Sequence, residues 1–334
     1  MSLEHQPRVS VVTPFYNTAE YLAECIESVL AQTYTNFEYL LVNNKSTDGS
    51  RAIAERYQAR DARVRLVDNE VFVGMLENYN GALGQISDDS KYVKIVQADD
   101  AAFPECLERM VELAEREPSV GIVSSFYLWG TDLRGDIGLN HRTSVIPGRE
   151  ACRKTLLERR QYTGSQTTVL YRAEIVRKRR PFFAITHPFA DSDTAFELML
   201  EHDLGYVHQV LTFNRKDNES TLNNVLDFHP LLLHFFLTME RYGATVLTPD
   251  ELIKARSEMR HDYYSYLASQ LIRMKGPAFW AYHRKGLATL EQDIPWPTVV
   301  PCALAELCKL ALSPGTTAER TLPWLVSRVR EALK

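Results

Sequence analysis

The sequence has few cysteines, and their spacing is not typical of a protein stabilised by disulfides or by zinc. It contains five in 334 residues, and no two of them form a Cys-x-x-Cys pair. Neither a disulfide framework nor a cysteine zinc site is expected from such a pattern. A chain of this kind is most simply placed in the reducing cytoplasm, so a cytoplasmic location is expected.

Long apolar runs and an excess of positive charge are also lacking. No segment approaches the roughly 18 apolar residues of a membrane-spanning helix, and the polar residues 1–8 do not resemble a signal peptide. The net charge is -5, whereas nucleic-acid-binding surfaces are usually rich in Lys and Arg. We therefore expect neither a membrane span nor a nucleic-acid partner.

Two glycine-rich nucleotide-binding motifs are missing as well. Pro14-Phe15-Tyr16-Asn17 follows the first strand-like segment, where a dinucleotide-binding fold would have G-x-G-x-x-G. No P-loop sequence is present either. A nicotinamide-dependent dehydrogenase and a P-loop nucleotidase are thereby disfavoured.

What the sequence does contain is a regular alternation of strands and helices. Apolar, β-rich segments at 9–13, 37–42, 64–67 and 92–97 alternate with helical patterns, the last of them at 104–115. Such alternation predicts right-handed βαβ units, and hence an α/β fold with a mostly parallel sheet covered by helices on both faces. Ligands of such sheets bind beyond the carboxyl ends of the strands. The polar segments that follow all four strands should therefore form one nucleotide-sized site.

The rest of the chain is less regular. Residues 129–147 read as loop, followed by a helix at 149–158, a strand at 167–171, a helix near 191–200 and a strand at 205–213. From about residue 229 to residue 334 the pattern is almost wholly helical. We predict a helical C-terminal extension.

The adjacent carboxylates Asp99 and Asp100 follow the fourth strand. Two neighbouring carboxylates repel each other unless a cation or hydrogen-bond donors compensate. Mg²⁺ or Mn²⁺ held by one or two carboxylates and by substrate phosphates is one such compensation. Taken alone, the pair is more simply explained as a turn or a helix cap.

Several spaced motifs together give these carboxylates a context. In chain order they are Val9-Ser10-Val11-Val12-Thr13-Pro14-Phe15-Tyr16-Asn17, Cys25-Ile26-Glu27-Ser28-Val29-Leu30-Ala31-Gln32-Thr33-Tyr34, Ser46-Thr47-Asp48-Gly49-Ser50, Asn80-Gly81-Ala82-Leu83 and Gln97-Ala98-Asp99-Asp100. This series resembles family 2 glycosyltransferases of bacterial polysaccharide biosynthesis, closely over about residues 8–128 and loosely over 160–220. The resemblance implies a GT-A fold and sugar transfer with inversion. It also implies a glycosyltransferase domain at 1–225, with its nucleotide-binding part at 8–128 and its acceptor part at 129–225, before the helical region 226–334.

The resemblance also assigns roles on the donor side. Pro14 and Tyr16 would lie against the base, Asn43 and Asn44 would read its edge, and Asp99 would bind the ribose. Asp100, with Asp99, would hold Mg²⁺ or Mn²⁺ on the diphosphate. The family usually has Asp at one or both of the positions of Asn43 and Asn44. An amide can replace a carboxylate in reading uracil or thymine, and guanine then becomes harder to exclude.

A base must also deprotonate the acceptor hydroxyl. Asp191, with Asp193 as the second candidate, resembles the acidic motif of the family, although Ala190 replaces the usual preceding Glu. The alternative is that both are N-cap and first-turn carboxylates of a helix. Arg215 is either a diphosphate clamp or part of a surface salt bridge. Asp217 replaces a usual His, and Gly164-Ser165-Gln166 would lie near the acceptor.

We therefore expect a metal-assisted transferase that moves a sugar, most simply from a UDP-sugar, to a saccharide or lipid-linked acceptor. The alternative is a non-catalytic nucleotide-sugar-binding or scaffold protein on the same fold. The sequence leaves open a homodimer and a peripheral membrane contact through its aromatic C-terminal helices, and it reveals neither the sugar nor the acceptor.

Overall fold

The computed structural model of the chain describes residues 6–184, 189–216 and 227–312. The chain divides into two compact units, Met1–Asn224 and Val225–Lys334. Unit 1 contains a mixed sheet with helices between its strands. Unit 2 is helical.

The strands of unit 1 are β1 Val9–Phe15, β2 Phe37–Asn43, β3 Val64–Asp68, β4 Tyr92–Ile95, β5 Ala101–Ala102, β6 Val120–Trp129, β7 Asp132–Arg134, β8 Val145–Ile146, β9 Leu170–Arg172 and β10 Asp203–Asn214. Its helices are α1 Leu22–Leu30, α2 Ser50–Gln58, α3 Met75–Leu83, α4 Cys106–Arg116, α5 Gly148–Glu158, α6 Ala173–Lys178 and α7 Ala190–Glu201.

The sheet runs in the order β3-β2-β1-β4-β9-β6-β10-β5, with β7 beside β6 and β8 beside β10. The long pairings, β3-β2-β1-β4 and β6-β10, are parallel. Among the described residues, each antiparallel pairing includes one of the short strands β5, β7, β8 and β9. The predicted α/β class with a mostly parallel sheet is confirmed.

Burial explains why the first elements were readable from the sequence. Every residue of β1, β2 and β4 is buried, as expected for parallel strands covered on both faces. In α4 the predicted stripe Leu107, Met110, Val111 and Ala114 is buried. Apolar periodicity therefore marks real core contacts in this half of the chain.

Two predictions for the second half were wrong in part. The strand expected at 167–171 is a short 3-10 turn over Gln166–Thr168, followed by β9. The Thr168 N–H donates to the Ser165 carbonyl at 2.9 Å, which closes the turn. The loop expected at 129–147 contains β7 and β8, which extend the sheet beside β6 and β10.

The helices of unit 2 are α8 Pro230–Val246, α9 Pro249–Ile272, α10 Pro277–Ala288 and α11 Trp296–Leu312. Thr248 and Glu251 form a capping box at the start of α9. The C-terminal region is thus helical through residue 312, and residues 313–334 lie outside the described residues. Within the described parts of the chain, no helix combines the length and apolar character needed to cross a membrane.

Candidate active site

The polar segments after β1, β2 and β4 lie at one edge of the sheet. β1 pairs in parallel with both β2 and β4, so the carboxyl ends of the three strands point the same way. This edge carries Tyr16 after β1, Asn44 after β2, and Asp99 with Asp100 beyond β4. The convergence expected from the sequence is therefore present at the level of the strands.

Asp100 is a buried carboxylate at this edge, with 5% of its surface exposed. Its Oδ2 accepts hydrogen bonds from the Thr167 hydroxyl and from the Asn214 amide, both at 2.5 Å. Its Oδ1 accepts from the Arg215 backbone N–H at 3.0 Å. A carboxylate has about four lone-pair positions, so one position on Oδ1 remains for a ligand.

The electrostatics of Asp100 fit a cation. Burial, followed by the neighbouring charge of Asp99, raises the pKa of Asp100 to about 7. Both causes disfavour the bare carboxylate, and the charge of a divalent cation would offset both. Asp99 is partly exposed beside it, and its backbone carbonyl accepts from Arg215 Nε at 3.0 Å.

A second observation concerns Asn214. Its Oδ1 is buried and has no hydrogen-bond partner among the described residues, while its Nδ2 donates to Asp100 and to Ser165 Oγ. A buried carbonyl oxygen without a partner is rare. The described residues contain no cluster of three His, Cys, Asp or Glu side chains suited to a metal, so a cation at this edge would have few protein ligands. Asp100 and the side-chain oxygen of Asn214 fit an Mg²⁺ or Mn²⁺ ion that completes its coordination with phosphate and water.

An exposed aromatic pair lies after β1 and β3. The Tyr16 ring is 43% exposed and lies 4.8 Å from the ring of Phe72, centroid to centroid. Phe72 itself is 60% exposed. Exposed aromatic faces provide a stacking surface for a nucleobase. Pro14, buried within β1, pairs with Val42 and does not itself present a surface.

The two asparagines after β2 are held by protein partners. Asn44 Nδ2 donates to the Val73 carbonyl at 2.8 Å, and Asn44 Oδ1 accepts from Val73 N and from Asn69 Nδ2, each at 3.0 Å. Both acceptor positions of the Asn44 oxygen are therefore used, while one of its two N–H groups remains. Asn43 Nδ2 donates to Asp68 Oδ1 at 2.7 Å, a contact that a carboxylate at position 43 could not make.

Arg215 forms the salt bridge that was one of the two interpretations left open by the sequence, and its role as a diphosphate clamp stays a prediction. Its guanidinium forms a salt bridge with Glu24 at 2.7 Å and lies 4.5 Å from the centroid of the Tyr21 ring. Its backbone N–H and its Nε bind Asp100 and Asp99, as described above. The residue is thus part of a surface salt bridge and also part of the carboxylate centre.

The candidate bases lie at the start of α7. Asp191 is partly buried, and burial raises its pKa. The Gln166 amide hydrogen-bonds to the Asp191 carboxylate, which opposes that rise, while the charge of Asp193 adds to it. Asp193 is 6% exposed and lies in the same first turn. Asp191 therefore has the more accessible carboxylate and a pKa shifted toward that of a working base.

Sequence reasoning missed three residues of this site. Thr167 and Asn214 bind Asp100 from positions 67 and 114 residues away along the chain, and Phe72 lies beside Tyr16. The exposed apolar run Val71-Phe72 after β3 was a usable signal for the aromatic pair. Neutral Thr and Asn side chains carry no comparable signal. Asp217 lies outside the described residues.

The sequence is similar to that of a known protein over part of its length. An uncharacterized glycosyltransferase of Haemophilus influenzae is 28% identical over 192 residues, which are 57% of this chain and 59% of that protein. The match thus spans less than two thirds of the relative.

Two solved structures share the fold. TarS 1–349 of S. aureus in complex with UDP-GlcNAc aligns with a TM-score of 0.61 at 15% identity, over 87% of this chain and 82% of TarS 1–349. The mannosyltransferase PcManGT of Pyrobaculum calidifontis in complex with GDP-Man and Mn²⁺ aligns with a TM-score of 0.56 at 17% identity, over 98% of this chain and 88% of that one. These similarities confirm the predicted GT-A fold.

The family assignment comes from the sequence itself. Residues 10–181, which include β2 to β9, all of β1 except Val9, and the Asp99-Asp100 pair, match the model of glycosyl transferase family 2. Together with the carboxylate centre at the strand ends, the match identifies the chain as a member of glycosyl transferase family 2.

Proposed function

We propose that the protein is an inverting glycosyltransferase that moves a sugar from a nucleoside-diphosphate sugar to a hydroxyl of a saccharide or glycolipid acceptor. Residues 1–225 form the transferase domain of this proposal, with the donor bound by the part at 8–128 and the acceptor by the part at 129–225. Residues 226–334 form its helical region. The cytoplasm is the proposed location, and surface polysaccharide or glycolipid assembly the proposed setting.

One observation carries the proposal: both carboxylate centres contact the same turn. Thr167 donates to Asp100, and its neighbour Gln166 bonds to Asp191. A buried carboxylate suited to a cation and a base candidate of raised pKa are thereby brought within one short segment of each other. Glycosyl transfer needs both, one for the leaving diphosphate and one for the acceptor proton.

The donor side of the proposal uses the rim residues. Tyr16, with Phe72, stacks on the base, and Asp99 binds the ribose. Asp100, with the side-chain amide oxygen of Asn214 beside it, would hold Mg²⁺ or Mn²⁺. When bound, the cation acts as a Lewis acid that takes up the charge of the leaving diphosphate.

The chemical step is a direct displacement. Asp191 accepts the proton of the acceptor hydroxyl as the acceptor oxygen forms a bond to the anomeric carbon. The bond from that carbon to the diphosphate oxygen breaks, and the diphosphate leaves with the electron pair. Attack from the opposite face converts an α-linked donor into a β-linked product.

Asn44 can contact the donor base within this proposal. Its remaining N–H group can donate to a ring carbonyl, which uracil, thymine and guanine all have, and its oxygen already accepts two protein N–H groups. A UDP-sugar is the first donor to test, because it is the donor that the sequence resemblance most simply implies, with dTDP- and GDP-sugars as comparisons.

The test is turnover with a panel of UDP-glucose, UDP-galactose, UDP-N-acetylglucosamine and GDP-mannose in the presence of Mn²⁺ and simple saccharide acceptors. Release of the nucleoside diphosphate is measured, and NMR of the product reports the anomeric configuration. A β-product from an α-donor supports the proposal, and a retained configuration contradicts the displacement. Metal-dependent nucleotide binding without turnover would favour the scaffold alternative.

A further inference from the structure

A lysine lies in the interior of the sheet without a role in the scheme above. Lys94 belongs to β4, and none of its surface is exposed. Its Nζ donates to the backbone carbonyl of Thr167 and, at 3.2 Å, to that of Val169. Burial lowers the pKa of Lys94. Even a neutral amine has two N–H groups, so both contacts survive a change of protonation state.

The carbonyls that Lys94 binds belong to the segment that contacts Asp100. Thr167 accepts a hydrogen bond from the Gln97 backbone N–H at 3.0 Å and donates its hydroxyl proton to Asp100 at 2.5 Å. The backbone of Thr167 is thus fixed by Lys94, and its side chain is fixed between Gln97 and Asp100. A displaced turn would lose the hydroxyl donor of Asp100.

The same turn orients the partner of the base. Gln166 is 7% exposed, and its Oε1 accepts from the Tyr171 hydroxyl at 3.0 Å. This contact fixes which end of the amide is the oxygen, so the NH₂ group is directed to Asp191. The hydrogen bond from Gln166 lowers the pKa of Asp191. One turn therefore supports the metal-side carboxylate through Thr167 and the base through Gln166.

We propose that Lys94 is a positioning residue that holds the Gln166–Thr168 turn in place and so aligns Asp100 and Asp191 with each other. The inference rests on the proposed function. Lys94 acts through the backbone of the turn, because the hydrogen bonds described for its amine go to carbonyls and not to a carboxylate. Residues that orient a metal ligand typically change metal affinity or activity by about 10- to 100-fold when mutated.

The central variant is Lys94→Met, which keeps the length of the side chain and removes its donors. We expect a fall of about 10- to 100-fold in the rate of UDP release and a weaker Mn²⁺ dependence of UDP binding. The acid limb of the pH–rate profile should move upward, because Gln166 no longer stabilises the Asp191 carboxylate. Lys91→Met is the matched control, since Lys91 is half exposed and pairs with Glu115; it should leave all three readouts unchanged.

A double-mutant cycle separates positioning from general destabilisation. Thr167→Val removes the donor to Asp100 and should weaken Mn²⁺-dependent binding alone, whereas Gln166→Leu should move the pH limb alone. If Lys94 acts through the turn, adding Thr167→Val to Lys94→Met costs little further metal affinity. Full additivity of the two losses, or a normal pH limb in Lys94→Met, overturns the inference.

Folding and function are checked separately. Lys94→Gln retains an N–H donor on a shorter side chain and should recover part of the loss. If neither Lys94 variant folds, the lysine serves stability and the positioning role is wrong. If the wild type releases no UDP from any donor but binds UDP with Mn²⁺, the proposed function fails, while the binding arm still tests Lys94.

Discussion

The donor edge and the base side of unit 1 are built in different ways. At the donor edge, Tyr16, Asn44 and Asp99 each follow a parallel strand, so chain order alone brings them together. On the base side, the Gln166–Thr168 turn and Asn214 reach Asp100 across 67 and 114 residues. The first arrangement can be read from a pattern, and the second depends on tertiary contacts. Function depends on both, because Asp100 belongs to the first and is held by the second.

The largest loss of activity is expected from substitution of the candidate base, Asp191. Asp191→Asn should lower the transfer rate by about 10²- to 10⁴-fold, the usual contribution of a general base. Nucleotide binding should persist, because Asp191 contacts the turn and not the donor edge. The measurement is the rate of UDP release with acceptor, beside calorimetric UDP binding.

Asp193→Asn is the matched control, since Asp193 lies in the same helical turn. It should cost far less activity, and it should lower the acid limb of the pH–rate profile because the charge of Asp193 raises the pKa of Asp191. In the wild type the rate should rise with pH through a pKa above the ordinary Asp value. Equal losses in the two variants would leave the base unassigned and contradict the choice of Asp191.

The next effect tests the donor edge. Asp100→Ala should reduce activity by about 100- to 1000-fold, the scale reported for loss of one group that stabilises developing charge. The Mn²⁺ dependence of nucleotide binding should disappear at the same time. If nucleotide binding to the variant still depends on Mn²⁺, Asp100 is not the metal ligand.

The contact between the two regions is tested by a pair of neighbouring threonines. Thr167→Val removes a donor to Asp100 and should cost about 10- to 100-fold in metal affinity. Thr168→Val removes a hydroxyl that donates only to the Ser165 carbonyl, at 2.8 Å, and should cost little metal affinity. If both variants bind metal equally well, the base side does not support Asp100 in the way described.

The smallest effects are expected from substitutions of the two asparagines after β2, Asn43 and Asn44. Asn43→Asp replaces a donor to Asp68 with a second carboxylate and should lower the free energy of unfolding by about 1–3 kcal/mol. Asn44→Asp loses one contact to Val73 and should cost less. Denaturant unfolding measures both. An Asn44→Asp variant with an unchanged preference among UDP, dTDP and GDP would contradict base reading by Asn44.

Asn43 stands where the family often has Asp, and this difference has a local physical reason. Asp68 is the register partner of Asn43 in the parallel pair β2-β3, and Arg51 forms a salt bridge with Asp68 Oδ2 at 2.8 Å. An amide at position 43 completes the contacts of Asp68, where a carboxylate would repel it. Sequence alone showed the exchange of Asp for Asn but not the neighbour that explains it.

The sequence predicted the donor-side strands and the fold because buried parallel strands leave continuous apolar runs. It failed at Gln166–Thr168, where β-branched Thr residues resemble a strand but the chain forms a turn. The Thr167 carbonyl accepts from Lys94 there, and the Thr167 hydroxyl donates to Asp100. It also read β7 and β8 as loop, since two- and three-residue strands are too short to show a period. The residues that matched a pattern were found, and those that act through long-range hydrogen bonds were not.

The most direct measurement is calorimetric binding of UDP, dTDP and GDP to the wild type and to Asp100→Ala, with and without Mn²⁺. We expect that UDP binds most tightly, that its binding depends on Mn²⁺, and that this dependence is lost in the variant. Binding that is unaffected by both Mn²⁺ and the substitution would contradict the assignment of the Asp99-Asp100 centre as the donor and metal site.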